Sequence, residues 1–426
     1  MGSGVGAGSG GMAGPAASPR GVAGPAASPP GGPGSPAGRA GVGEAEQDRS
    51  PAGWLSELDD EAARRQRAGL RRELRPREAG DDAVDLAGND YLGLSRHPRV
   101  LAAAADALTR YGLGATGSRL VRGSTAEHAE LEAGLAGLFG SEAALVYSSG
   151  YLANMGAVRA LAGPGTLLLS DAYNHASIVD GCRNSRAEVV VVPHADVAAV
   201  ERTLAGRGGR PAVLVTESVF SVDGDLAPLV ELHAACRRHG ALLLVDDAHA
   251  VGLLGPSGAG AVAAAGLAGA PDVVVTATLS KSFGAAGGVV AGPRALVSKL
   301  VDTGRTFIYD TALPPVVAAG ALAALELIRD GDALRAESAE RAALVGKRLV
   351  GHDVSEPAAG VVSVAAPGPD EAVAWAQACR ERGVAVGCFR PPSTPDGRSR
   401  LRLTINVGVP RAAFEEALNV IAECAP

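Results

Sequence analysis

The sequence predicts an α/β protein: a three-layer α/β/α body on one large, mainly parallel sheet, followed by a smaller α+β domain. Seven short apolar runs rich in β-branched residues recur through residues 143–292, mostly separated by helix-compatible segments. Parallel strands of that kind need crossover helices on both faces of the sheet. Hydrophobic residues reach 47% while aromatics make up only 3%, so the core must be Ala, Val and Leu, a composition suited to buried strands under Ala-rich helices.

Residues 1 to about 50 are almost entirely Gly, Ala, Pro and Ser and include the near-repeat MAGPAASPRGVAGPAASPPG. Without large apolar groups to offset ordering entropy, this stretch is expected to be a disordered tail. From Trp54 to about Leu74, apolar residues at helical spacing among charges predict an amphipathic helix. That helix, which opens an N-terminal helix and arm over residues 51–95, is expected to lie across a partner subunit.

The large domain is assigned to residues 96–312, with strands at Ala143–Tyr147, Leu167–Ser170, Val189–Pro193, Ala212–Thr216, Ala241–Val245, Val273–Ala277 and Gly288–Gly292. After Pro314–Pro315 the rhythm changes. Helices are expected at Val316–Arg329 and Leu334–Val350, and strands near Val361–Ala365, Val384–Gly387 and Leu401–Ile405, giving a smaller domain over residues 313–426.

Bulk properties exclude several functions. A net charge of −7, with no Lys/Arg block read as dense enough to hold a phosphate backbone, argues against nucleic acid as a partner. Apolar stretches are broken well before the ~18–20 residues needed to cross a bilayer, so no membrane span is expected. Five scattered cysteines without a C-x-x-C pair read as reduced thiols in a cytoplasm.

Ligands of such sheets bind beyond the carboxyl ends of the strands, which directs attention to the polar residues after each run. In VVVTATLSKSFGAAGG, residues 273–288, a strand delivers Thr278, Ser280 and Lys281 to its end, and a Gly-rich turn follows. A Schiff-base lysine needs such a desolvated setting; a lysine capping a loop is the plainer alternative. In ALLLVDDAHAVGLLG, residues 241–255, Asp246 and His249 leave one strand three residues apart. No metal-ligand spacing or Walker loop accompanies them, so an aspartate facing a protonated ring nitrogen fits better than a metal site, with a helix N-cap as the alternative. In ALVYSSGYLANMGAV, residues 144–158, Ser149, Gly150 and Tyr151 open a helix whose free N–H groups suit a phosphate. His175, in SDAYNHASIVDG, is placed either to lie on an aromatic ligand or to serve the structure.

Taken together, these segments resemble the α-oxoamine synthase family of fold-type-I pyridoxal-phosphate enzymes. The resemblance runs in order through NDYLGLSRHP at residue 89, SRLVRGST, SSGYLANMGAV, YNHAS, ESVFSVDGDLAPL, VDDAHAVG, TATLSKSFG, FIYDTALPP and RPPSTPDGRSRLRLTI. It implies an aspartate-aminotransferase-like fold, a homodimer with active sites at the subunit interface, and pyridoxal 5′-phosphate as cofactor. By position it implies Lys281 as the Schiff-base lysine, Asp246 at the pyridinium nitrogen, His249 at the phenolic oxygen, His175 stacked on the ring and Ser221 beside it. Gly150, Tyr151, Thr278 and Ser280 would hold the phosphate, with Thr311 contributed by the neighbouring subunit. Asn89 and Arg402 would engage the substrate carboxylate, and Arg390 and Thr394 the acyl side.

The implied reaction is a decarboxylative Claisen condensation of an amino acid with an acyl thioester. The Arg-Pro-Pro start of FRPPSTPDGRSRLRLT is similar to the branch that joins L-alanine to a pimeloyl thioester, on CoA or an acyl carrier protein, to give 8-amino-7-oxononanoate for biotin. Branches that use glycine, forming 2-amino-3-ketobutyrate or 5-aminolevulinate, are the alternative, followed by an aminotransferase of the same fold and a catalytically silent subunit.

Overall fold

Strands made of Val, Leu and Ala are most stable when both their faces are covered, and the apolar runs of the larger sheet meet that condition except at Glu188–Val192, where Val189 and Val191 are exposed. The computed structural model describes Gly2 and residues 50–426. Apart from Gly2 and Ser50, the tail expected to be disordered lies outside the described residues. Among those described, the strands are β1 (Val84–Leu86), β2 (Ala143–Tyr147), β3 (Leu167–Asp171), β4 (Glu188–Val192), β5 (Ala212–Glu217), β6 (Leu242–Asp246), β7 (Val273–Thr278), β8 (Gly288–Gly292), β9 (Val361–Ala365), β10 (Val384–Phe389) and β11 (Arg400–Thr404).

Strands β2 to β8 build one sheet in the order β2-β8-β7-β6-β5-β3-β4. Every pair from β7 to β4 is parallel, whereas β8 runs against both β7 and β2. The reversal has a local cause. The segment between Thr278 and Gly288 is shorter than the dozen or so residues a parallel crossover needs, so the chain turns straight back.

Alternation along the strands produces the three layers. Leu145, Leu168, Val213, Leu244, Val274 and Val290 point to one core with helices Gly150–Leu161 and Ala176–Asn184. Val146, Leu169, Leu214, Leu243, Val275 and Val289 point to the other, with helix Ala126–Phe139. Helix Pro315–Arg329, placed by the sequence in the smaller domain, buries Ala318, Ala321, Ala324, Leu325 and Ile328 in this second core. Its nearly continuous apolar sequence demands cover, which the helices Pro98–Tyr111 and Ala126–Phe139 provide.

The smaller sheet has the order β1-β10-β11-β9, with Leu86, Val364, Trp375, Leu401 and Phe414 in its own core. Strand β1 was not anticipated. Its three residues pair in parallel with β10 from Val84 opposite Val384 to Leu86 opposite Val386, tying the N-terminal arm into this sheet.

The first helix, Pro51–Arg67, has no buried residue and stops short of Leu74. Gly69 adopts φ 63, and the Leu70 N–H closes on the Arg65 carbonyl at 2.9 Å, a left-handed helix end that glycine favours. No helix among the described residues is long and apolar enough to cross a membrane.

One polar clamp orders the loops above the larger sheet. His194 bonds Asp171 through Nδ1 at 3.0 Å and Asp225 through Nε2 at 2.9 Å, with its ring stacked 4.2 Å from Tyr173. Burial alone would lower its pKa, but the bonds and charges of the two aspartates push it up to about 9. A histidine raised in this way stabilises the fold fully below its unfolded value near 6.5, and the contribution fades as pH climbs through about 9. His194→Asn should therefore cost about 3 kcal/mol at pH 6 and progressively less towards pH 9, read from urea unfolding. An equal loss at both pH values would dismiss the charged clamp.

Candidate active site

The larger sheet delivers a polar residue from the end of nearly every strand to the same edge: Ser149 after β2, His175 after β3, Glu217 and Ser221 from β5, Asp246 and His249 from β6, and Lys281 after β7. Lys281 sits in a turn closed by its carbonyl accepting from Gly284 N at 2.8 Å. Gly284 is at φ 62, and a side chain there would strike the backbone of Ser95, so the turn requires glycine. Desolvation by burial pushes the Lys281 ammonium down to about 8, against the opposing pull of Asp246.

Lys281 Nζ lies 2.9 Å from His249 Nε2, and His249 Nδ1 lies 2.6 Å from the Tyr91 hydroxyl. Burial, reinforced by the charges of Lys281 and Arg402, holds His249 well below the usual histidine range and therefore neutral. Burial also pushes the Tyr91 phenol up to about 12. A neutral imidazole is thus clamped between a phenol and an amine.

The carboxylate of Asp246 accepts from Asn154 Nδ2 at 2.6 Å and from Ala248 N at 3.1 Å. Asn154 is itself held by Thr276 Oγ1 at 2.5 Å and donates to Ser177 Oγ at 2.9 Å, which lies 2.8 Å from His175 Nδ1. One hydrogen-bonded chain therefore fixes Asp246 and His175 together. The adjacent Asp247 turns the other way, into a fully buried bond with Ser218 Oγ at 2.5 Å and with the N–H of Ala261 at 3.1 Å. Of the two carboxylates in the motif, Asp247 caps the segment that begins at Ala261, and Asp246 stands on the side of Lys281 and His175.

Glu217 stands opposite Asp246 in the sheet register. Burial and the nearby Asp246 charge push its carboxyl up to about 8. Its Oε2 accepts from Ser221 N at 3.1 Å, while Oε1 is buried without a partner.

Gly150 starts the helix Gly150–Leu161, capped by Ser149 Oγ accepting from Leu152 N at 3.2 Å. A side chain at Gly150 would press on Thr278, whose hydroxyl lies 2.8 Å from Ser280 Oγ. Two hydroxyls and the free amides of Gly150 and Tyr151 converge in this cradle. The Tyr151 side chain points elsewhere and bonds Asp180.

On the smaller sheet, Arg402 is buried and donates to Asn89 Oδ1 at 2.7 Å, with its Nε unpartnered. Thr394 is buried with an unpartnered hydroxyl. Arg390 is not brought to this cluster: its guanidinium donates to the carbonyls of Gly69 and Arg71 and pins the arm. Thr311 is exposed and lines a small crevice with Arg119, Ser148 and Asp310. Sequence reasoning left Tyr91, Asn154 and Glu217 without roles. All three lie inside motifs that were singled out, and the legible signal was a polar residue set among apolar ones.

The chain belongs to the aminotransferase class I and II family, whose profile matches residues 81–421, and it is a pyridoxal-phosphate enzyme of the α-oxoamine synthase type. It is 53% identical over 375 residues to the 8-amino-7-oxononanoate synthase of Mycobacterium sp. (strain JLS), covering 88% of this chain and 97% of that one. The synthase of the same name from Mycolicibacterium gilvum (strain PYR-GCK) is 55% identical over 356 residues, 83% of this chain and 92% of the other. Among solved structures, a Sphingomonas wittichii serine palmitoyltransferase superposes with a TM-score of 0.80 at 32% identity, over 87% and 97% of the two chains. The 8-amino-7-oxononanoate synthase of Francisella tularensis gives 0.69 at 26%, over 80% and 98%.

The residues present fit pyridoxal phosphate. Lys281 offers a partly neutral amine, Asp246 a fixed carboxylate, and the Gly150 cradle a space that a side chain would fill.

Proposed function

We propose that the protein joins L-alanine to a pimeloyl thioester, releasing CO₂ and the free thiol and forming 8-amino-7-oxononanoate. The observation that carries this reading is a desolvated Lys281 amine held 2.9 Å from a neutral His249, in a chain similar along nearly its whole length to synthases of that name.

In this reading Lys281 holds the cofactor, Asp246 meets its ring nitrogen, His249 its phenolic oxygen, and His175 and Ser221 flank the ring. The amides of Gly150 and Tyr151 and the hydroxyls of Thr278 and Ser280 take the phosphate, joined by Thr311 from a second copy of the chain. When bound, the cofactor supplies an electron sink for the charge left at the substrate α-carbon. Lys281 Nζ takes the α-proton of alanine and returns one to the product carbon, a task suited to an amine near 8. Arg402 and Asn89 grip the alanine carboxylate, and the unpartnered Thr394 hydroxyl serves the acyl side. Arg390 acts one step removed, by fixing the arm.

The enzyme works in the cytoplasm as a homodimer. Support comes from the five free cysteines and from Trp54, Leu55 and Leu58, exposed apolar side chains on the first helix that a second copy would cover.

The test is a thiol-release assay on purified protein with alanine, glycine and serine crossed against acyl-CoAs of graded length. Thiol and CO₂ should appear together, fastest with alanine and the pimeloyl donor. A preference for glycine with a short acyl group, or amino transfer without thiol release, would overturn the assignment.

A further inference from the structure

The chain's net charge of −7 conceals one basic stretch: residues 64–77 hold seven arginines and one glutamate. Of these, Arg64, Arg67, Arg72, Arg75 and Arg77 have no carboxylate partner among the described residues, and residues 71–80 are all exposed. The stretch is anchored rather than loose. Arg72 bonds Ser393 Oγ at 2.6 Å, Arg75 bonds Gln377 Oε1 at 2.8 Å, and Arg390 holds the carbonyls of Gly69 and Arg71.

Beneath it runs a groove of about 600 Å³ with Val373, Ala376 and Val386 in its wall, reaching Phe389. The Arg402 guanidinium, which bonds Asn89, lies 5.2 Å from the centre of the Phe389 ring. The basic stretch thus borders a groove that ends one side chain from the substrate-binding pair. In its middle Leu74 is 99% exposed, an apolar side chain that phosphates alone would leave unused.

We propose that this arm is the docking surface for an acidic carrier protein, which presents the acyl group as a thioester at the groove. The proposal rests on the condensation reading above and names its acyl donor. A nucleotide-borne thioester gathers its phosphates in one compact unit, whereas residues 70–77 span up to roughly 25 Å. A row of acidic side chains on a protein matches that length, and Leu74 supplies the apolar centre such an interface needs.

The test compares pimeloyl thioesters on holo acyl carrier protein and on CoA, in the parent enzyme and in the Arg64→Glu, Arg67→Glu, Arg77→Glu triple variant. Among the described residues these three side chains make no hydrogen bond or ion pair. The carrier-protein KM should rise about tenfold or more while the CoA KM stays within about twofold, and raised salt should weaken only the carrier-protein reaction in the parent. Equal changes for both donors, or none, would refute the docking surface. So would a variant that changes oligomeric state, or a parent that binds nonspecific duplex DNA more tightly than the carrier protein. Calorimetric binding of the unacylated holo carrier protein reports on docking alone, so an enzyme inactive with both donors would sink the condensation reading without deciding this one.

Discussion

Lys281→Ala is expected to purify without the yellow colour of lysine-bound pyridoxal phosphate and to turn over at least about a thousandfold more slowly than the parent. The argument begins with residue choice. The chain contains three lysines against 36 arginines, so its positive charge is almost always carried by arginine. Lys299 is exposed, donating to the Ala160 carbonyl at 2.6 Å, and Lys347 lies exposed on helix Asp332–Arg348. Only Lys281 is withdrawn from water, beside a neutral imidazole and in reach of Arg402, whose charge adds to the desolvation that lowers it. A guanidinium cannot lose its proton near neutrality, whereas an ammonium held near 8 can, and a free amine pair is what carbonyl chemistry and α-proton removal both need. Borohydride reduction followed by peptide mapping should place the adduct on the Leu279–Ser282 segment. A variant that remained yellow through a reducible bond would move the attachment to one of the two exposed lysines.

The large sheet was legible because its code is local. Each of its seven strands is built on a short apolar run, and the end of such a run is also the place where a buried sheet exposes chemistry. Lys281, Asp246, His249 and His175 could therefore be singled out without knowing the strand order. What stayed hidden depends on partners distant in sequence. The three residues Val84–Leu86 carry no pattern of their own and become a strand only because β10 lies alongside. The helix Pro315–Arg329 reads the same whichever core it joins, and only packing against the helices Pro98–Tyr111 and Ala126–Phe139 assigns it to the larger one. Arg390, in the Arg-Pro-Pro motif, was expected at the acyl substrate, and its bonds to the carbonyls of residues 69 and 71 could not be read because those residues lie over 300 positions away. Asn154 was invisible for the opposite reason: inside an apolar helix it looked like a tolerated polar residue, and its meaning appears only when β6 brings Asp246 to 2.6 Å.

That contact makes Asp246→Asn the more instructive substitution, with an expected loss of about a hundred- to a thousandfold in kcat while some cofactor is retained. Both Asp246 oxygens already accept from protein donors, Ala248 N on one and Asn154 Nδ2 on the other. An amide at this position would set its NH₂ against one of those donors, or turn it into the cleft where a protonated ring nitrogen needs an acceptor. Either orientation removes the negative charge that keeps such a nitrogen protonated, and with it the sink for the α-carbanion. Glu217 offers no substitute: across the register from Asp246, burial holds it near 8 and so neutral at physiological pH. The two carboxyls also have unequal hydrogen-bond donors. Asp246 has two good ones, and Glu217 has a single backbone amide and a bare oxygen. Removing that inequality from the other side, Asn154→Ala should reproduce part of the Asp246→Asn loss without touching the carboxylate itself. Near-parent kcat in Asp246→Asn would show that the charge at the strand end does not tune the cofactor, and the roles assigned along the Asn154–Ser177–His175 chain would fall with it.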